Sequence, residues 1–489
     1  MVVRCLLLLL VILIVVFATP CRASSQHSSL KRDLKDNLLV AQSLDAGDFY
    51  RNDRATVIRA DQQPEPKEIF LLVIDMINRF YVSPVSIKSL LESVWKHLQL
   101  VLLPAFLDED YVFEECHSSA EKCFLDSLDS LCRSRNIDCD YLINESTRLL
   151  VKGLDANSSL LDKGMLNELK ISMSGTFGGV GMVVASKDGR YVVVASIDGS
   201  PAQKAGIKAG DEILEIDGNS LQGLPLTKVL SMVRGPSGSV MNVVVESSRS
   251  KKARQLRLRR KIIKVAPVRS IMLSQRVGYL RIVNFQDNTS DELMRAVSRL
   301  LNHSNRPLKG IIIDVRDNPG GLFEEAIKTA GLFKARGNLT YLKGRSLEMT
   351  TAFYSPRHES IYDGPIVILA NKGSASGSEV LIGALQGMRN VLVIGERTFG
   401  KASVQGVFPL TTGLALRLTT AHYYTADGRD IDGKGIDPDI IFEQNEHQSS
   451  LRVGAVKADD IQDDPVVSIA LAYILHERLP KRSPFTSIF

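Results

Sequence analysis

The stretch Asn371 to Gln405 (NKGSASGSEVLIGALQGMRNVLVIGERTFGKASVQ) holds serines, a lysine and a glutamine in an order that allows chemistry. A small-residue turn, Gly373 to Ser378, follows an apolar run, Ile366 to Ala370, that reads as a buried strand, and a helix is expected over Glu379 to Met388. A strand that passes through a tight turn into a helix N-terminus fixes a side chain and aims free N–H groups outward. A serine in such a turn has the setting of a nucleophile beside an oxyanion site. None of the chain's eight histidines falls in this stretch, which leaves lysine as the base. Lys401 follows an expected strand, Val391 to Ile394, and a turn at Gly400, and precedes the alternating run Ala402 to Phe408. Packed strands would desolvate it and lower its pKa towards neutrality, so that it takes a serine proton. That is the serine–lysine form of triad chemistry.

Two plainer readings compete. Serine-rich turns ahead of helices are mostly caps, and most lysines are solvated. The second is a nucleotide site, because Gly395-Glu396-Arg397-Thr398-Phe399-Gly400-Lys401 fits G-x-x-x-x-G-K after a strand, and Ile311-Ile312-Ile313-Asp314 could end in a magnesium-binding Asp. It fails at the next residue. Ala402 stands where Ser or Thr should bind magnesium, and Ser403 to Phe408 alternates like a strand where a helix is required.

Taken together, these residues resemble the carboxyl-terminal processing proteases, or tail-specific proteases. The family's serine turn is matched by Gly373-Ser374-Ala375-Ser376-Gly377-Ser378-Glu379, and its lysine segment by Thr398-Phe399-Gly400-Lys401-Ala402-Ser403-Val404-Gln405. Gly377 replaces alanine and Ala402 replaces glycine, both small for small. The resemblance implies Ser376 as nucleophile, Lys401 as base and Gln405 as the group that orients the lysine. It also implies a multidomain α/β fold: a mixed α/β protease core with a crotonase-like sheet and helices, an inserted PDZ domain and a helical N-terminal domain. No metal and no cofactor is required. A binding protein that carries the PDZ domain on an inactive protease fold is the rival from another class, and intact Ser376, Lys401 and Gln405 weigh against it.

The chain has 489 residues, 44% of them hydrophobic, enough for two to four domains, and its net charge of +5 is too slight to argue for nucleic acid. Residues 1–23 read as an export signal: Arg4, an apolar run from Cys5 to Phe17, then small residues around Cys21-Arg22-Ala23. The expected location is the periplasm or outside the cell, with an uncleaved N-terminal anchor as the alternative. Residues 24–65 are a polar, flexible lead-in. Residues 66–175 form the helical N-terminal domain. Ile69, Leu72, Val73, Met76 and Ile77 recur at helical spacing, and a second helix, Ile87 to Leu102, carries Trp95 on its apolar face. These helices resemble a family segment that in some members pairs two protomers, so a homodimer through them is an expectation.

An insertion over 104–148 holds Cys116, Cys123, Cys132 and Cys139, spaced seven, nine and seven apart. Residues seven apart share a helix face, so two antiparallel helices would pair Cys116–Cys139 and Cys123–Cys132. Zinc is the alternative, although close C-x₂₋₄-C pairs are absent and export favours disulfides.

Residues 176–250 alternate in short strands and contain segments similar to PDZ sequence, Ser200 to Gly206 and Ala209 to Gly218. PDZ domains capture extended C-termini by strand addition. Gly179, Val180, Gly181 and Met182 stand where the carboxylate loop belongs, and Arg234 resembles a family arginine that couples the PDZ domain to the protease. The substrates implied are unfolded or loosely folded proteins with free apolar C-termini. A basic run, Arg249 to Lys264, joins the PDZ domain to the core over 251–442. There Asp314-Val315-Arg316-Asp317-Asn318-Pro319-Gly320-Gly321 resembles the family segment in which a glycine N–H helps form the oxyanion hole. Residues 443–489 are a polar link and a last helix opened by Asp464-Pro465.

Overall fold

The structure, a computed structural model, describes residues 64–102, 119–443 and 461–476, apart from 188, 198, 249, 251, 304–305, 346–349, 357–358, 412 and 462. The expected export signal, nearly all of the lead-in and Cys116 lie outside them. Among the described residues no helix is long and apolar enough to cross a membrane.

Four helices come first: α1 Pro66–Phe80, α2 Ile87–His97, α3 Ala120–Arg135 and α4 Cys139–Lys152. Pro66 at the first turn of α1 is pre-set for a helix, and the Ser86 hydroxyl caps α2 by accepting from Ser89 N at 3.2 Å. After α2 a π-helical turn carries the chain to Leu102. Their apolar stripes meet around Phe70, Trp95 and Phe124, and Phe408, Leu410, Leu416 and Leu418 of the protease region complete the same core.

The cysteines pair differently from the expectation. A disulfide joins Cys132 to Cys139 across a Cα separation of 5.5 Å, which excludes both Cys116–Cys139 and Cys123–Cys132; Cys123 is itself disulfide-bonded. The spacing argument put the helix–helix turn between Cys123 and Cys132. Instead α3 runs through both, ends at Asn136 in the left-handed region (φ 54°), and α4 begins at Cys139 under an Asp138 cap. The disulfide therefore closes the corner, and cysteines held this way bind no zinc.

Strand β1 Ser159–Asp162 and helix α5 Lys163–Ser174 lead to β2 Thr176–Gly179. The PDZ module follows as β3 Met182–Lys187, β4 Arg190–Ser196, α6 Pro201–Lys204, β5 Glu212–Ile216, β6 Asn219–Ser220, α7 Leu226–Val233, β7 Val240–Glu246 and β8 Ala253–Arg259. Its antiparallel sheet runs β3-β4-β5-β7-β8, with β6 on β5. Alternation builds it: Met241, Val243 and Val245 of β7 face a core shared with Val193, Ile213 and Val229. The first half of the basic run is thus the solvated strand that its alternation suggests, and as the outer strand of this sheet it extends the module beyond the expected boundary at residue 250. Its second half, β9 Lys261–Lys264, pairs with β2, so the module is inserted through a two-stranded ribbon.

The core continues as β10 Val268–Leu273, β11 Val277–Ile282, α8 Thr289–Asn302, β12 Gly310–Asp314, α9 Phe323–Phe333, β13 Asn338–Gly344, β14 Thr351–Tyr354 and β15 Ile366–Ala370. It closes with α10 Gly377–Leu385, β16 Val391–Gly395, β17 Ser403–Thr411, β18 Leu414–Tyr424, β19 Ile440–Ile441 and α11 Pro465–Leu475. One sheet runs β10-β11-β12-β15-β16-β19 and is parallel from β11 onward. Parallel strands need cover on both faces. Leu280, Ile313, Ile368 and Val393 face a core with α8, α9 and α10, while Tyr279, Ile312, Leu369 and Ile394 face α11. A second, antiparallel sheet runs β1-β18-β13-β14 with β17 on β18, so the segment before the PDZ module is stitched into the protease region.

Candidate active site

Loops at the carboxyl ends of parallel strands are where an α/β sheet builds a site, and here the loops after β12, β15 and β16 converge. The first is fixed by buried charge. Asp314 is fully buried; its carboxyl accepts from the Tyr279 hydroxyl at 2.7 Å and from Arg316 Nη2 at 2.7 Å, and Arg281 Nη1 lies 3.0 Å away. Burial alone would push this carboxyl up, but the two guanidiniums outweigh it and hold it well below the usual carboxylate range. Beyond Arg316 the Asn318 side chain ties the turn to β11 by donating to Ile282 O at 2.9 Å, and its Oδ1 accepts from Gly320 N at 2.9 Å.

The second loop locks onto the first. Asn371 accepts from Asp317 N at 2.8 Å, the Ser374 hydroxyl donates to Val315 O at 2.8 Å, and Ala375 N and the Ser378 hydroxyl both donate to Asn318 O. Ser376 then caps α10 with φ 52° and ψ −113°, a conformation of non-glycine residues that costs on the order of 1–3 kcal/mol. The surroundings enforce it. A Cβ on Gly320 would stand 2.7 Å from both Ser376 Cβ and Gly377 N, so only glycine lets the turn after β12 approach the serine turn this closely.

The third loop is held by one carboxyl. Glu379, with no exposure, accepts from Ser376 N at 2.9 Å and Lys401 N at 2.8 Å with one oxygen, and from Thr398 Oγ1 at 2.5 Å and Gly400 N at 2.6 Å with the other. The Tyr423 hydroxyl reinforces the link, 3.0 Å from Ser376 O and 2.6 Å from Lys401 O. Burial, with Glu379 beside it, pushes that phenol well above its ordinary value, so it remains a donor. The Lys401 amine is pushed down, first by burial and then by the Arg417 guanidinium, while Asp155 acts in the opposite sense. Asp155 belongs to a turn that docks on β18: its carboxyl accepts from Asn157 N and Ser158 N, Ser158 Oγ accepts from Thr419 N, and Arg417 Nε donates to Asn157 O. Gln405 lies at a bulge of β17 opposite Thr419, its buried Nε2 without a protein partner among the described residues.

Ser376, Gly377, Gly320, Gly321 and Lys401 are therefore gathered where three loops meet. The PDZ residues stand elsewhere. Gly179 pairs with Lys261 in the ribbon, Val180 and Gly181 accept from Ala202 N and Ile197 N at 2.9 Å each, and Met182 opens β3. Arg234 ends α7, pairs with Glu168 of α5 and lies over the Phe177 ring, 5.0 Å from its centroid. The nucleotide alternative is excluded on geometry, because β17 follows Lys401 where a helix would be needed and Glu379 already holds the loop N–H groups. Sequence reasoning assigned no role to Glu379. Ser376-x-x-Glu379 is a capping-box pattern, and that signal was open to reading. Asp155 and Arg417 had no comparable local signal.

Two family models match the chain, one described as Peptidase family S41 over residues 276–442 and one as PDZ domain over 192–247. The chain is 37% identical over 310 residues to a carboxy-terminal-processing protease of Bartonella bacilliformis, covering 63% of this chain and 71% of that one. It is 35% identical over 308 residues to the carboxy-terminal processing protease CtpA of Bacillus subtilis, covering 62% of this chain and 64%, just under two thirds, of the relative. Among solved structures, one titled photosystem II D1 C-terminal processing protease aligns at 26% identity and a TM-score of 0.44, over 78% of this chain and 94% of its own.

Proposed function

This chain belongs to the family of carboxyl-terminal processing proteases, serine peptidases with a PDZ domain, and from that premise we propose that it is an exported endopeptidase cleaving proteins near their C-termini. The observation that carries the reading is Glu379, whose single carboxyl binds both the Ser376 turn and the Lys401 loop. A cap alone would need no such bridge.

In this mechanism neutral Lys401 accepts the Ser376 proton as Ser376 Oγ attacks the scissile carbonyl. The Lys401 environment supports this, since burial and Arg417 both favour the neutral amine. Gly377 N at the first turn of α10 donates to the developing oxyanion. Because Gly320 already gives its N–H to Asn318 Oδ1, Gly321 is the second donor in this reading. Lys401, protonated, then gives that proton to the departing substrate amine as the C–N bond breaks and the Ser376 acyl ester forms, and water, deprotonated by Lys401, releases the acyl group. Gln405 orients the lysine, using the amide that has no other protein partner among the described residues. The PDZ module takes the free carboxylate and apolar end of a loosely folded substrate through Gly179 to Met182. The Cys132–Cys139 disulfide supports export, because such bonds persist in oxidising compartments.

Ser376→Ala and Lys401→Ala should each abolish cleavage of a denatured protein substrate, by about a thousandfold or more, with unchanged thermal unfolding. Since the two act as one proton-transfer unit, the double variant should be little worse than either. Retention of more than about a hundredth of the activity in Lys401→Ala would assign the base to another group.

A further inference from the structure

Arg316 opens the loop that carries Gly320 and Gly321, and its guanidinium has two carboxyl partners. Asp314 is the local one. The other is Asp464, which precedes the last helix: Arg316 Nη1 lies 2.9 Å from Asp464 Oδ2, with the two side chains only 4% and 7% exposed. The remaining oxygen, Asp464 Oδ1, accepts from Val466 N at 2.9 Å and Val467 N at 3.3 Å, capping α11. One carboxyl is thus divided between a helix start and the loop. The helix is anchored independently, through Val466, Val467, Ala470 and Ile474 buried against the parallel sheet. Charge accounting requires the second carboxyl. Asp314 faces two guanidiniums, Arg281 and Arg316, and a buried cation left short of a partner is strongly unfavourable. Asp464 also lies beyond residue 442, where the matching peptidase model ends.

We propose that α11 clamps the oxyanion loop: Asp464 is a positioning residue that holds Arg316, and through it the Gly320–Gly321 turn, against Ser376. The contact runs from Asp464 to Arg316, whose carbonyl accepts from Arg281 Nη2 at 2.9 Å, and onward to Asn318, which binds the serine turn. This inference rests on the proteolytic reading of the site.

Asp464→Asn separates the two duties of the carboxyl, because asparagine caps a helix as well as aspartate but brings no charge to Arg316. In the full chain its kcat should fall about tenfold or more while KM stays within about twofold, since a misplaced oxyanion loop affects the transition state rather than substrate binding. Thermal unfolding should come earlier in Asp464→Asn, because Arg316 loses a buried charged partner, and earlier still in Asp464→Ala, which loses the cap as well, so the kinetics are read well below both transitions. Amide hydrogen exchange read over residues 316–322 should accelerate in Asp464→Asn. Parent-like exchange across 316–322, or a parent-like kcat in a chain whose cleavage depends on Ser376, overturns the clamp. If the parent shows no Ser376-dependent cleavage, the proposed activity has failed, and hydrogen exchange alone decides the clamp.

Discussion

The junction of the three loops and the joint between the PDZ module and the protease region both combine glycine with charge, yet they are held in opposite ways. At the junction Glu379 is sealed from solvent and satisfies four donors, and Gly320 brings backbone against the Ser376 turn. At the joint Arg234 and Glu168 keep 26% and 57% side-chain exposure, and the guanidinium rests on the Phe177 ring. A surface pair of that kind contributes roughly 0–1 kcal/mol, whereas removing a partner from a buried network costs several times more. Chemistry demands one geometry. The PDZ module has a hydrophobic core of its own and joins the rest through the β2–β9 ribbon and this partly exposed ion pair.

The sharpest way to break this contrast is Glu379→Gln. The amide NH₂ would confront backbone donors that now meet carboxyl oxygens, so stability should drop by about 3 kcal/mol and kcat by about a hundredfold or more. Thermal unfolding beside steady-state kinetics measures both, and a variant with parent kcat would show that the junction does not depend on this carboxyl. On the PDZ side the effect should be smaller and confined to binding. Amidating the C-terminus of a peptide substrate should raise KM about tenfold with kcat nearly unchanged. Equal kinetics on free and amidated peptides would make the module a spacer.

The finest effect concerns pH. Only the neutral amine of Lys401 accepts a proton, so kcat should rise with pH through the pKa of that lysine. Arg417 holds the amine down in addition to burial, so Arg417→Gln should move the limb to higher pH. Asp155 acts in the opposite sense, so Asp155→Asn, which keeps an oxygen for Asn157 N and Ser158 N, should move it to lower pH. Rate profiles of the two variants displaced in the same direction would remove Lys401 from the role of base.

Local pattern alone determined a good deal of this protein. Uninterrupted apolar runs such as Ile366–Ala370 and Val391–Gly395 mark strands buried on both faces, because a parallel sheet covered by helices leaves no polar side. Glycine-rich turns beside them mark the ends where a site can be built, and the sequence singles out Ser376, Lys401 and Gly320 at such turns. What tertiary structure decided is whatever depends on where helices stop and on contacts between distant segments. The disulfide is one case: shifting a helix end from before Cys132 to Asn136 exchanges partners although the spacing is unchanged. The Asp155 turn on β18, the Asp464 cap on Arg316 and the N-terminal helices against Phe408 and Leu416 are others. Periodicity reports which face of an element is apolar, but not which surface will cover it. Choosing among apolar surfaces of similar character takes the whole packed core, and the charges brought beside Lys401 and the Gly320–Gly321 turn are set by that choice.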